Sequence, residues 1–266
     1  MDHYSTDTKG SKTMLLFSIK GLTKRFGSVV ATDHVNLDIE SEGILSIIGP
    51  NGAGKTTFFN LLTGFYKPDE GKILYKDKDI TGLEPNKVIR YGISRSFQVV
   101  SLFNEMTVLD NMRIGVQSHL GFKNKLFSNF QKNGKVREAA LAILERVKLI
   151  DVKDHLVTAI SHGDRKILDL AMALATEPDV LLLDEPMSGL AKGERVRIKD
   201  LIVNDFKKNM KLIIVEHDMD AVFTLSDKIL CLNQGAVLAM GAPSEISSNQ
   251  NVQDAYLGAR NNDCNT

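Results

Sequence analysis

Apolar residues along this chain follow two spacings, and the switch between them marks its elements. "LLFSIKGLTKRF" (15–26) and "VVATDHVNLDI" (29–39) alternate apolar and polar positions in places, with Gly27 and Ser28 between them, which predicts two antiparallel strands. "GILSIIG" is nearly all apolar, the pattern of a short strand buried on both faces, and "VLLL" (180–183) and "LIIV" (212–215) repeat it. "KPDEGKILYKDKDI" returns as a hairpin-like pair, and "KILCLN" and "AVLAMG" read as two shorter strands.

The helical spacing dominates the middle. "MTVLDNMRIGVQSHL" and "GKVREAALAILERVKLI" predict helices, the second with Val136, Ala140, Ile143, Leu144 and Val147 three to four apart. Ser161 is placed to N-cap a further helix through Ile167, Leu168, Leu170 and Ala171. Others are expected from about Lys192 to Phe206, from Val252 to Leu257, and after a glycine-rich turn, where Gly64 ends the helix. Strands and helices alternating around a helical middle predict an α/β fold with a parallel-sheet core, an antiparallel β lobe and an inserted helical lobe. The expected division is a core from 14–98 and 179–258, a helical subdomain from 99–178, and flexible tails at 1–13 and 259–266. The basic stretch "KNKLFSNFQKNGK" reads as a solvated loop, with a patch binding phosphates or nucleic acid as the competing reading.

Charge adds mostly exclusions. Thirty-three Lys and Arg balance thirty-three Asp and Glu, so no global field points to nucleic acid or a lipid surface. No run approaches the ~18 apolar residues that span a bilayer, and the polar start "MDHYSTDTKGSKT" lacks the apolar stretch of a secretory signal. Any membrane connection is therefore expected through a partner. Cys231 and Cys264 lack metal-ligand spacing and point to free thiols in a reducing compartment.

The chemistry concentrates in "GPNGAGKT". Gly49, Pro50, Asn51, Gly52, Ala53, Gly54, Lys55 and Thr56 satisfy G-x-x-x-x-G-K-[ST] between a buried strand and a helix, with Thr57 following. Such a loop wraps a phosphate with its N–H groups; Lys55 reaches the β- and γ-phosphates and the Thr56 hydroxyl can ligate Mg²⁺. Lys55 is expected in an exposed cradle. The chain therefore binds a nucleoside triphosphate, and no N-K-x-D-like guanine reader accompanies it. "VLLLDE" adds Asp184 for Mg²⁺ and Glu185 to orient or deprotonate water, a pair that favours hydrolysis over transfer to a substrate.

The order P-loop, Gln98 in "RSFQ", "ISHGDRK", "VLLLDEP" and His217 in "LIIVEHD" resembles the ATP-binding subunits of ABC transporters, over roughly residues 15 to 258. The resemblance implies an ATPase with a RecA-like P-loop core that uses ATP and Mg²⁺. It implies that two such subunits pack head to tail, each signature motif capping the γ-phosphate held by the other, here through Ser161 and Gly163. By the same carry-over Gln98 contacts Mg²⁺ or the attacking water, His217 is a switch histidine, and Phe26 stacks on adenine. For Phe26 an ordinary strand-end aromatic is the competing reading. The other implied partners are integral-membrane permease subunits, reached through a stretch holding Leu102, Phe103 and Met106, and indirectly a solute-binding protein. The implied place is the cytoplasmic face of the inner membrane.

Two departures stand out. The signature has His162 and Asp164 where Gly and Gln are usual, and Ala191 stands where many members carry an aspartate. "SHGDRKILDLAMALA", "DEPMSGL", "EHDMDAVF" and "VQDAYLG" resemble the subgroup that energises importers of branched-chain amino acids and related amides or urea. Alternatives are a lipid or lipopolysaccharide exporter ATPase, a soluble ABC-type ATPase acting on ribosomes or DNA, and a nucleotide-binding regulator that hydrolyses nothing.

Overall fold

The all-apolar runs become the middle of a six-stranded sheet. The structure, a computed structural model, describes residues 4–6, 12–96, 102–119 and 134–255. In chain order the strands are β1 Tyr4–Thr6, β2 Lys12–Phe26, β3 Val29–Glu40, β4 Ile44–Ile48, β5 Glu70–Tyr75, β6 Lys78–Asp79, β7 Ile93–Arg95, β8 Val180–Asp184, β9 Lys211–Val215, β10 Lys228–Asn233 and β11 Ala236–Gly241. The helices are α1 Lys55–Leu62, α2 Pro85–Val88, α3 Val108–His119, α4 Gly134–Arg146, α5 His162–Leu174, α6 Lys192–Leu201, α7 Lys207–Asn209, α8 Met219–Leu225 and α9 Pro243–Ser248. Residues 250–255 are also helical.

The large sheet runs β11-β10-β4-β9-β8-β7, parallel from β10 to β7 with β11 antiparallel at its edge. Every residue of β4, β8 and β9 is buried. The two-residue period divides them between two cores. Val180 and Leu182 pack with Leu45, Ile47, Phe58 and Phe59 on one side. Leu181 and Leu183 pack with Ile44, Ile214 and the apolar residues of α3, α4 and α5 on the other. Each such buried side chain contributes roughly 1.5–3 kcal/mol, so these runs have no reason to face solvent. Because α3, α4 and α5 cover one sheet face directly, one continuous core joins the helices to the strands.

The second sheet is antiparallel, β1-β2-β5-β6 with β3 on β2. Along β3 the alternation Val35, Leu37, Ile39 inward and Asn36, Asp38 outward is the predicted one. Three features differ from expectation. Tyr4–Thr6 pair with Lys12–Met14 by main-chain bonds, which need no apolar pattern to signal them. Ile93–Arg95 form a strand too short to show a period, held by parallel pairing to β8. The expected helix from Lys192 to Phe206 is α-helical to Leu201 and continues as a π-turn at Ile202–Phe206. Residues 259–266 and most of the basic stretch lie outside the described residues.

Register positions the site. Ile47 lies opposite Val215, and Val215 opposite Asp184. The loops leaving β4, β8 and β9 therefore emerge together at the carboxyl edge of the parallel strands, where open α/β sheets gather their ligand groups.

Candidate functional site

The loop from Gly49 to Gly54 is pressed between two other segments and open only at its crest. A Cβ on Gly49 (φ 155°) or Gly54 (φ 96°) would sit 2.2 Å from the carbonyl oxygens of Leu232 and Ala31 respectively. At Gly52 (φ 77°) nothing lies within 4 Å. Glycine is thus demanded by packing at the ends of the loop, while its middle leaves room for an incoming group. Lys55 opens α1 and is buried, not exposed as its sequence context suggests. Its stem lies inside, and Nζ donates to the carbonyls of Gly49 at 2.7 Å and Pro50 at 3.0 Å. Burial lowers its pKa below the ordinary lysine value, with Glu185 and Asp184 pulling the other way. A cation held this way in partial desolvation attracts a phosphate more strongly than one in water. Thr56 beside it is exposed.

Asp184 ends β8 with its side chain buried, and Glu185 follows with φ 46°, its amide donating to the Val215 carbonyl. That left-handed turn swings Glu185 out of the strand line toward the next loop. There Glu185 Oε1 meets His217 Nε2 at 2.7 Å. Two residues far apart in the chain are brought together because β8 and β9 are neighbours. Gln98 lies outside the described residues.

Glu216, unremarked in the sequence, locks this corner. It is buried, accepting from Met187 N through Oε1 (3.0 Å) and from His217 N through Oε2 (3.2 Å). Burial raises its pKa, while the amides it accepts from oppose the shift. An acid between an apolar run and His217 is the signal that could have found it. Behind the loop Cys231 is a buried free thiol, pushed up to about 11 by burial.

Phe26 is exposed at the end of β2 and meets the Tyr66 ring edge-on, centroids 5.2 Å apart. Lys24 Nζ lies 5.5 Å from the Phe26 ring centre. The pair offers an aromatic surface that sequence reading gave to Phe26 alone.

Ser161 caps α5 as expected, its Oγ accepting from Asp164 N at 3.1 Å and donating to Asp164 Oδ2 at 2.8 Å. Arg197 holds the other Asp164 oxygen at 2.8 Å. Gly163 N donates to Glu194 Oε1 at 2.9 Å, and Glu194 Oε2 accepts from Ala191 N. Two carboxylates thus take up the Ser161 hydroxyl and the Gly163 amide at this helix start. The described hydrogen bonds of Ser161, Gly163 and Asp164 run within this cluster and do not reach the Gly49–Thr56 loop.

Beside β7 a cavity of about 340 Å³ opens between α3, α5 and the residues after α1. Phe65, Ile89, Leu102 and Met172 form apolar walls, and Asp169 is part of its lining. Asp169 is buried with Oδ2 unpartnered, and burial pushes its carboxyl up to about 7 against the pull of Lys166. Phe103, next to Leu102, is 49% exposed and so is not a core residue. A larger cavity, about 780 Å³, lies at the amino edge of the strands, with Lys76–Asp179, Lys207–Asp227 and Lys228–Glu40 paired across its lining.

The sequence profile described as ABC transporter matches residues 32–188, more than half the chain. The chain belongs to the ABC transporter ATP-binding cassettes. It is an ATPase subunit with that family's mixed α/β fold. A second profile, branched-chain amino acid ATP-binding cassette transporter, matches residues 236–260. The high-affinity branched-chain amino acid transport ATP-binding protein LivG of Escherichia coli (strain K12) is 41% identical over 251 residues, covering 91% of this chain and 98% of LivG. Among solved structures, the ADP conformation of an ATP-binding cassette of an ABC transporter superposes with TM-score 0.81 at 32% identity, covering 92% of this cassette and all of that chain. The dimeric post-hydrolysis state of a cassette bound to ADP and Pi gives TM-score 0.71 at 25% identity, covering 86% and 99%. Among the described residues of this cassette, no helix is long and apolar enough to cross a membrane.

Proposed function

We propose that this cassette hydrolyses ATP to drive import of branched-chain amino acids or a related amide or urea solute. The likeness to LivG over nearly its whole length and the match at residues 236–260 support that solute class. In this reading it works at the cytoplasmic face of the inner membrane, docked under integral-membrane permeases that receive solute from a binding protein.

The observation that carries the chemistry is the Glu185–His217 pair at 2.7 Å on the P-loop edge of the sheet. Glu185 accepts a proton from, or orients, the attacking water, and His217 holds the carboxylate in place and faces the γ-phosphate. The Gly49–Gly54 backbone and Lys55 bind the phosphates, Phe26 with Tyr66 takes the adenine, and Thr57 extends the cradle along α1. The donor set fits Mg²⁺: a hydroxyl at Thr56 and a carboxylate at Asp184, hard oxygen ligands that leave positions for phosphate and water, with Gln98 as a further ligand. When bound, Mg²⁺ neutralises the charge that develops on the transferring phosphoryl group. Ser161 and Gly163 of a second cassette cap the γ-phosphate, so that ATP closes a dimer and hydrolysis reopens it. The groove lined by Phe65, Leu102 and Ile89, with Phe103 beside it, receives the permease.

The test is uptake. Vesicles holding the cassette with its permeases, binding protein and internal ATP are expected to accumulate leucine, and a Lys55→Ala cassette to abolish that uptake. ATP-dependent uptake of an amide or urea but not leucine moves the solute within the proposed class. Uptake of none of them overturns the import reading.

A further inference from the structure

Asp184, the carboxylate assigned above to Mg²⁺, already has a cation on it. Arg95 ends β7, where it lies opposite Leu182 on β8. From there its Nη2 reaches Asp184 Oδ2 at 2.6 Å, with side chains only 10% and 3% exposed. Its Nη1 donates to Asn60 Oδ1 on α1, and Nε is buried without a partner. The guanidinium carbon lies 5.6 Å from the Phe59 ring centre and 5.8 Å from that of Phe65. Phe65 is 47% exposed, and both it and Arg95 line the groove beside β7.

We propose that Arg95 is a positioning residue that competes with Mg²⁺ for Asp184 and ties that competition to the groove. This rests on Asp184 being a metal ligand. A buried carboxylate needs a positive partner, and removing a partner from such a pair strands a charge in low dielectric. Before nucleotide arrives, Arg95 is that partner and fixes the direction in which Asp184 points. A dication at the same carboxylate repels the guanidinium, so metal binding works against the Arg95 contact on Asp184 Oδ2. Asn60 and the faces of Phe59 and Phe65 hold the displaced group, since a guanidinium stacks favourably on aromatic rings. The unpartnered Nε shows that the present position leaves one donor unused. A partner seated against Phe65 shifts that resting place and with it the hold on Asp184.

Mn²⁺ binding, followed by electron paramagnetic resonance with a non-hydrolysable ATP analogue on the full cassette, tests this. Arg95→Met is expected to bind Mn²⁺ at least about tenfold more tightly, from loss of a like charge a few ångströms away. Analogue affinity in EDTA should stay unchanged and the nucleotide-free melting temperature should fall. Arg95→Lys should lie between, and carries the test if the methionine variant does not fold. Phe65→Ala should shift Mn²⁺ affinity in the same direction by less. Unchanged or weaker Mn²⁺ binding in both Arg95 variants overturns the proposal, since a merely structural arginine moves only the melt. Asp184→Asn separates the two readings: if it leaves Mn²⁺ binding intact, Asp184 is no metal ligand and the underlying assignment fails.

Discussion

Asp169 carries an electrostatic cost that Lys166 relieves only in part. Its carboxyl is buried, one oxygen is unpartnered, and its pKa stands near 7 against 3.8 for an unburied aspartate. Between those values the folded protein holds a proton that the unfolded chain gives up. Stability is therefore lost as pH rises through this window, and the full penalty applies above it. Asp169→Asn, which cannot ionise, is expected to melt higher than the parent at pH 8, with the gap closing by roughly 2 kcal/mol toward pH 5. Melting curves at several pH values check this; a gap constant with pH would show that Asp169 is ionised throughout. The candidate residues legible in the sequence are those whose pattern is local: eight consecutive positions make the G-x-x-x-x-G-K-T motif, and Asp184 and Glu185 end a visible apolar run. Arg95, Glu194, Tyr66 and Glu216 were not legible. Their roles depend on partners reached by folding, such as Asp184 for Arg95, 89 residues away, and Gly163 for Glu194, 31 away.

Among the elements, α5 and α6 make an instructive pair. Ser161 closes the start of α5 with its own oxygen. Ala191 occupies the same place on α6 with no side-chain acceptor, and only Glu194, reaching back to the Ala191 amide, ties that end. Restoring an acceptor with Ala191→Ser should stabilise the cassette by roughly 0.5–1 kcal/mol, raising the melting temperature by about 1–4 °C for a chain of this size. Calorimetry reads the shift directly, and an unchanged or lower melting temperature would show that the added hydroxyl does not cap α6. The long periodic elements were legible because burial of one face repeats at fixed spacing. β7 was not, because three residues show no period and its pairing to β8 is what makes it a strand.

At the scale of the molecule, the Ser161 hydroxyl and the Gly163 amide at the α5 start donate to two carboxylates of their own chain, Asp164 and Glu194. In the proposed dimer, a phosphate held by a second cassette would have to displace at least Glu194 from Gly163. Closure is therefore expected to need ATP that is not consumed. On the proposed mechanism, Glu185→Gln keeps the shape but loses the charge assigned to polarising water, which should slow turnover by ~10²–10⁴-fold. With Mg-ATP that variant should elute as a dimer in size-exclusion chromatography, with the permeases included if the isolated subunit stays monomeric. Adding Ser161→Arg should abolish the dimer while each monomer still binds ATP. A double variant that dimerises like Glu185→Gln alone would leave Ser161 as no more than the cap of α5. By itself the sequence determined the family, the sheet-and-helix alternation and the phosphate loop, because hydrophobic period and a contiguous motif are written in neighbouring residues. Only the tertiary structure decided that Lys55 is buried, that Glu185 meets His217, and that Arg95 holds Asp184. Each of those depends on which strands lie side by side, and strand order follows from burial of the whole core rather than from any stretch within it.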